Sequence, residues 1–518
     1  MDESIGEMVK TTTRGGLILL IGQILSTFIL AFGMMFVARL LGDVQYGAFN
    51  VAQSVVQIAM LIIYLGVNPA LVKYVAQYRH EKKYGHVKVI IEAGLLISLS
   101  AGVVMTLIVY SLSGVIANNL YNAPEQEIYI KYLSIGIIGQ ALVMVSMGVT
   151  TGYERMEMRS AVNLTYSIFK SIASPLLVYI GWGTLGAVVG HAIPTLISGL
   201  LGLVMIILLY RSLSPTEESF THQEAIKLIL GYGWPLYLSS LLGGVLPHIY
   251  TTLLGMWTDF SLIGNYSAAL NFSVLLSFIT VPIGATIFPL FSKLDEKSRD
   301  LEFLYVNSVK YSTLFGYPIV FTVMALADQF VNIIYQNSFI YAAQFLRLFM
   351  LSFVFIGVGN VCNGSLLSSQ KKNTTLLQTT LVRFIIAIPL SLILISRYQV
   401  LGLLAIRILL PGLSSILNYR AIQNFFNFKI DYIFLAKMLV ISISSYSLVY
   451  TFVSNISLNS WYELIAGGLL SLSIFALGFI LLKIFTKQDI LYLKKLGSGF
   501  GPLSPIVDIL ADIMMRFA

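Results

Sequence analysis

One cysteine, Cys362, is all that 518 residues provide, so no intramolecular disulfide holds this chain together. Charge is scarce as well: Asp, Glu, Lys and Arg make up 11% of the residues, where soluble domains carry about 25%. No glycine-rich loop followed by lysine is present to cradle phosphate, which excludes an ATP-hydrolysing engine. No Cys/His cluster has metal-ligand spacing, and no metal or cofactor is expected. Long polar insertions are missing too, since the longest outer connections, 118–127 and 328–340, are too short for a folded catalytic domain. The formal charge of +8 does not imply nucleic acid, because the basic residues follow a different logic.

What is there is apolar: 57% hydrophobic residues and a mean hydropathy of +0.84, the signature of an all-α polytopic membrane protein. About 20 helical residues cross the roughly 30 Å of hydrocarbon. Fourteen runs suit that length: 15–38, 47–69, 87–112, 128–151, 161–180, 185–210, 226–256, 262–291, 304–327, 341–368, 374–395, 400–424, 432–453 and 461–485. They are too long and too continuous for the alternating segments of a β-barrel. The first run lacks a cleavage-like flank, so no cleavable signal peptide is expected.

Alternate loops hold most of the 32 Lys and Arg, in clusters such as Lys73, Arg79, Lys82, Lys83 and Lys88, or Arg155 and Arg159, or Lys371 and Lys372. The intervening loops hold only Arg39, Lys131 and Arg397. This is the positive-inside pattern, which predicts an even number of spans and both termini in the cytoplasm. The tail from Pro505 to Ala518 carries apolar residues at helical spacing, suited to an amphipathic helix on the membrane surface or packed on the bundle.

The chain repeats itself. Gly42 to Gly47 is a polar turn between apolar runs, and Asn68-Pro69 closes the second run; Thr258 to Gly264 and Phe288-Pro289 follow the same plan half a chain later. Lys170, Pro175, Gly186 and His191 find counterparts in Arg383, Pro389, Gly402 and Arg407. Two parallel six-helix lobes with two appended helices are therefore expected. The divisions are a cytoplasmic segment 1–14, an N-lobe 15–212, a C-lobe 213–425, two further helices in 426–486 and a cytoplasmic tail 487–518. Glycine and proline crowd the seventh, eighth and ninth spans, which predicts broken helices around a cavity, although both residues are common in membrane helices generally. The pairs Gly148/Gly152 and Gly186/Gly190 read as helix packing.

Ionisable groups inside spans are costly, so each needs a cavity or a partner. Lys170, Arg347, Arg383 and Arg407 are all cationic and have few acids at matching depth, which points to an anionic, phosphate-bearing substrate. The alternative is that Arg347 and Arg407 snorkel to headgroups while Lys170 and Arg383 pair with carbonyls or with Glu92. Glu92 and His191 are the candidates for proton relay or ion coupling, and for His191 a packing role stands beside it. Asp43 and Asp259 occupy corresponding turns, where capping is favoured over ion binding.

The Ala38-Arg39-Leu-Leu-Gly42…Tyr46-Gly47-Ala-Phe49 turn, Asn68-Pro69, Gly152-Tyr-Glu-Arg155 and Leu185-Gly186-Ala187, in this order along almost the whole chain, resemble the Wzx-type polysaccharide-export flippases. Those belong to the multidrug/oligosaccharidyl-lipid/polysaccharide exporter superfamily. The resemblance implies a multi-pass protein of the prokaryotic cell membrane that flips a polyprenyl-(di)phosphate-linked oligosaccharide by alternating access, with glycan polymerases or glycosyltransferases as partners. Two rivals stay open: a cation-coupled multidrug exporter of the same superfamily, and a membrane glycan polymerase or ligase. Spans one and seven lack Asp and Glu in their apolar interiors, which disfavours the first; the short outer loops disfavour the second.

Overall fold

The computed structural model describes residues 2–213, 220–456 and 458–485; the tail 487–518 and the amphipathic helix expected in it lie outside these. The described chain forms helices throughout and contains no strand. In order these are α1 (Asp2–Ile62), α2 (Val67–His80), α3 (Tyr84–Val115), α4 (Gln126–Gly152), α5 (Met156–Leu177), α6 (Gly183–Arg211), α7 (His222–Trp257), α8 (Phe260–Asn271) and α9 (Val274–Ser292). There follow α10 (Arg299–Ala325), α11 (Ala327–Tyr335), α12 (Ala342–Met350), α13 (Asn363–Ser369), α14 (Asn373–Phe426), α15 (Tyr432–Ser454) and α16 (Ser460–Leu481).

Among the described residues, seven helical stretches are long and apolar enough to cross a membrane, or up to ten if three bent pairs each make one span. Three of the seven run for 54 to 60 residues, more than twice what a bilayer requires. Each is interrupted near its middle: by Gly42 (φ 73°), by Gly181 and Gly183 (φ 99° and 52°) and by Gln399 (φ 51°). The total is thus compatible with the fourteen spans read from sequence. The expected turn from Gly42 to Gly47 is tighter than supposed, because helix resumes at Asp43 and Gly42 alone leaves it. Glycine at that position adopts the left-handed region without the steric penalty of a Cβ.

Of the three spans rich in glycine and proline, the eighth is bent by 52° between Ser277 and Thr280, beside Pro282, while the seventh and ninth stay helical through theirs. α7 continues through Gly231, Gly233, Gly243, Gly244 and Pro247, and α10 through Gly316 and Pro318. In hydrocarbon a freed backbone group has no water to turn to, so a proline helix keeps its remaining bonds. Non-helical backbone appears at 63–66, at 272–273 within the eighth expected span, and around Gly359.

Packing divides the described residues into two compact units. The first comprises the residues up to Val274 with Ile334–Ala342 and Thr380–Ile406; the second comprises Leu275–Ile333, Ala343–Thr379 and the residues from Arg407 onward. In the first, Leu71, Val75, Ile90, Ile91, Val145 and Val149 form a core among α2, α3 and α4. In the second, Phe291, Leu301, Tyr305, Leu366 and Ile422 form another, where the Tyr305 hydroxyl donates to Asn363 Oδ1 at 2.9 Å.

Polarity is arranged as a lipid solvent demands. Ser98, Ser134, Ser146, Thr150, Ser174 and Thr195 are buried, while Ile465, Leu469, Leu472 and Leu477 on α16 stand exposed. Small residues let helices approach: a Cβ on Gly148 would stand 2.9 Å from Leu71 Cβ, and one on Gly152 2.8 Å from Val75 Cβ. These glycines are packing surfaces, as their spacing implied. The two repeated turns also meet within the first unit. A Cβ on Gly47 would strike the Phe260 carbonyl, and one on Gly264 the Asp43 carbonyl. Asp43 takes a turn role, accepting from Val44 N at 2.8 Å and from the Ser261 hydroxyl.

Candidate functional site

One face of α5 builds the centre of the candidate site. Arg159, Tyr166 and Lys170 are spaced by seven and four residues, which places them in line on a helix, with about 16 Å of axial rise from first to last. Lys170 is only 6% exposed, and among the described residues it has no acidic partner. Its Nζ donates to Tyr166 Oη at 3.3 Å and lies 5.6 Å from that ring's centre. His191, from α6, is wedged between rings, with centroids 6.1 Å from Tyr166 and 6.3 Å from Phe49. His191 Nδ1 is buried without a hydrogen-bond partner among the described residues. A lone ammonium held by one phenol and bordered by an unsatisfied imidazole is an unusual thing to bury, since its desolvation is uncompensated.

At the Arg159 end of this face lies a cavity of about 330 Å³. Its wall includes Tyr64, Asn68, Gln140, Met144, Arg159 and Tyr237. The break at 63–66 turns Tyr64 into it, where the Tyr64 hydroxyl accepts from Gln140 Nε2 at 3.2 Å. Asn68 Nδ2 donates to the Met144 carbonyl at 3.0 Å, and the Tyr237 hydroxyl to the Ile62 carbonyl at 3.1 Å, so these walls are braced. Arg159 Nη1 donates to Thr151 Oγ1 at 3.0 Å, while its buried Nε has no partner among the described residues. Charge counting by loops assigns Arg159 to a solvated surface; its spacing from Tyr166 and Lys170 is the signal that finds it.

The other expected site residues are placed differently. Arg383 is half-buried on the stretch of α14 that packs in the first unit, the unit that also holds Lys170. Arg407 is half-buried in the second unit, its guanidinium 5.7 Å from the Phe349 ring centre. Arg347 has a counter-ion after all: it pairs with Asp328, donates through Nε to the Met324 carbonyl at 3.3 Å and lies 5.2 Å from the Tyr450 ring centre. Four cations lacking acids is thus not the arrangement. Glu92 accepts from the Tyr210 hydroxyl and meets His222 Nε2 at 2.8 Å, so its carboxylate binds α3 to α6 and α7 and does not pair with Lys170. His222 escapes sequence reasoning, because its 130-residue separation from Glu92 leaves no local trace.

Comparison with known proteins gives a family and a fold. A family model described as polysaccharide biosynthesis protein matches residues 12–295. A probable low-salt glycan biosynthesis flippase of Haloferax volcanii is 22% identical over 463 residues, covering 88% of this chain and 92% of that protein. The lipid II flippase MurJ, in an inward closed conformation, superposes with a TM-score of 0.72 at 14% identity, over 89% of this chain and 98% of that one. An inward-facing multidrug resistance MATE family transporter of the MOP superfamily gives 0.64 at 16% identity, over 78% and 97%.

Proposed function

This chain belongs to the polysaccharide biosynthesis protein family, and from that premise we propose that it flips a polyprenyl-(di)phosphate-linked oligosaccharide from the cytoplasmic to the outer leaflet of the cell membrane by alternating access. It is a transporter rather than an enzyme: its relatives are named flippases, and it shares their helical fold. The observation that carries the proposal is the sign of the charge inside the first unit. Lys170 is buried with no acid beside it among the described residues, so an entering phosphate supplies the missing counter-charge. A cationic drug would meet only repulsion there.

In this reading Arg159 and Lys170 offer successive charged stations along α5, with Arg383, the repeat counterpart of Lys170, as a third. Gln140, Asn68 and Tyr64 offer hydrogen bonds to sugar hydroxyls at the cavity wall, and the polyprenyl tail stays in lipid. Arg347 and Arg407 are secondary stations, since both already have protein contacts. The six-helix copies, 15–212 and 213–425, serve as the moving lobes, and the packing of α8 on α1 at Gly47 and Gly264 must open during the cycle. Glycosyltransferases supply the substrate and polymerases consume it. Glu92 and His191 are the groups available for ion coupling.

Translocation of a radiolabelled polyprenyl-diphosphate oligosaccharide in proteoliposomes tests this. The wild type transports, and Lys170→Ala/Arg383→Ala, expressed at the same level, loses at least about tenfold in rate, as expected when a charge-assisted contact worth about 1.5–3 kcal/mol is removed. Undiminished transport by the double variant keeps the function and removes the cationic stations. Efflux of a cationic dye with no lipid transport replaces the proposal with the multidrug reading.

A further inference from the structure

A second hollow, of about 260 Å³, lies in the first unit where α2, α4 and α6 end. Arg79, Tyr84, Tyr153, Arg155 and Ser212 line it, and among these there is no carboxylate. Tyr153 is 7% exposed, yet its hydroxyl has no hydrogen-bond partner among the described residues. Burial pushes that phenol up to about 12, so it remains a proton donor at any physiological pH. Arg79 spends one N–H on the Tyr153 carbonyl, at 2.9 Å, and its guanidinium sits 5.2 Å from the Tyr153 ring centre. Arg155 meets Glu157 at 3.3 Å, with both side chains more than half exposed. Two guanidinium groups and the unpartnered Tyr153 hydroxyl therefore border the hollow, and among the described residues the acceptors given to Arg79 and Arg155 are the Tyr153 carbonyl and the Glu157 carboxylate.

A buried hydroxyl donor left unsatisfied costs free energy, and planar guanidinium groups match tetrahedral oxyanions through paired N–H donors. We propose that the hollow bounded by Arg79, Arg155, Tyr84 and Tyr153 is a binding site for a phosphate group, carried on an anionic lipid headgroup or free in solution. Occupied, it ties the ends of α2, α4 and α6 together through one ligand. It is independent of the cavity lined by Tyr64 and of the transport reading, because it is detected by binding alone.

The test uses the purified full-length protein in detergent and follows its thermal unfolding midpoint. The probes are inorganic phosphate, dioctanoyl phosphatidylglycerol and, as the zwitterionic control, dioctanoyl phosphatidylcholine. A saturable rise with phosphatidylglycerol alone identifies the lipid headgroup; a rise with inorganic phosphate as well identifies the phosphate group itself. Either rise requires about tenfold more ligand in Arg155→Gln, whose side chain contributes little to the fold, and is reduced in Tyr153→Phe, which keeps the ring and removes only the donor. Equal responses in wild type and both variants overturn the proposal, as does the absence of any rise over phosphatidylcholine. So does a rise that emerges only in Glu217→Gln/Glu218→Gln, since the hollow's anion would then be the chain's own carboxylates four and five residues beyond Leu213.

Discussion

Lys170 and Arg347 are both cations on apolar helices, and the protein treats them in opposite ways. Arg347, in the second unit, has its side chain 21% exposed and receives a carboxylate, a backbone carbonyl and an aromatic ring. Lys170, in the first, is more deeply buried and receives one phenol. A cation that serves only the fold is usually given a counter-ion, because breaking or omitting the pair leaves desolvation unopposed. The difference separates a charge that is satisfied by the protein from one that is kept available.

The sharpest way to break this comparison is to remove each charge and watch transport and stability together. Lys170→Met, which keeps an unbranched side chain one atom shorter and loses the charge, should reduce lipid transport by about tenfold or more while raising the thermal unfolding midpoint, the trade expected of a strained functional group. A midpoint that falls instead would make Lys170 a structural residue. Asp328→Ala should do the reverse, lowering stability by about 1–2 kcal/mol, a value discounted for the half-exposed carboxylate, and leaving the transport rate within about twofold. Denaturant or thermal melts of the two variants in the same detergent check both statements. The smallest effect is expected from Glu92→Gln. Its pair with His222 is more than one-third exposed, so stability should fall by under about 1 kcal/mol. Its ratio of transport rates at pH 6 and pH 8 tests coupling: a ratio equal to wild type removes Glu92 from any proton cycle.

Much of this is legible in the residues themselves. The break at Gly42, the interruptions between the fifth and sixth and between the eleventh and twelfth runs, and the packing role of Gly148 and Gly152 follow from local sequence. The expected breaks in α7 and α10 do not form, because proline's local penalty competes with a solvent that cannot replace lost backbone bonds. Arg159 escapes a loop-by-loop charge count for a related reason. A basic residue beside a loop counts toward topology whichever way it points, and its approach to the cavity depends on Tyr64, Asn68 and Tyr237, which are distant in sequence.

By itself the sequence determined that this is a helical membrane protein of many spans, since hydrocarbon admits only backbones that satisfy themselves and each apolar run reports that directly. It also placed Lys170, Arg347, Arg383 and Arg407 within apolar runs. Tertiary structure alone decided which cation is answered: Asp328 meets Arg347, Glu92 meets His222, and among the described residues nothing acidic reaches Lys170. Counter-ions come from segments up to 130 residues apart, and a Coulomb pair forms only where packing brings two side chains within a few ångströms.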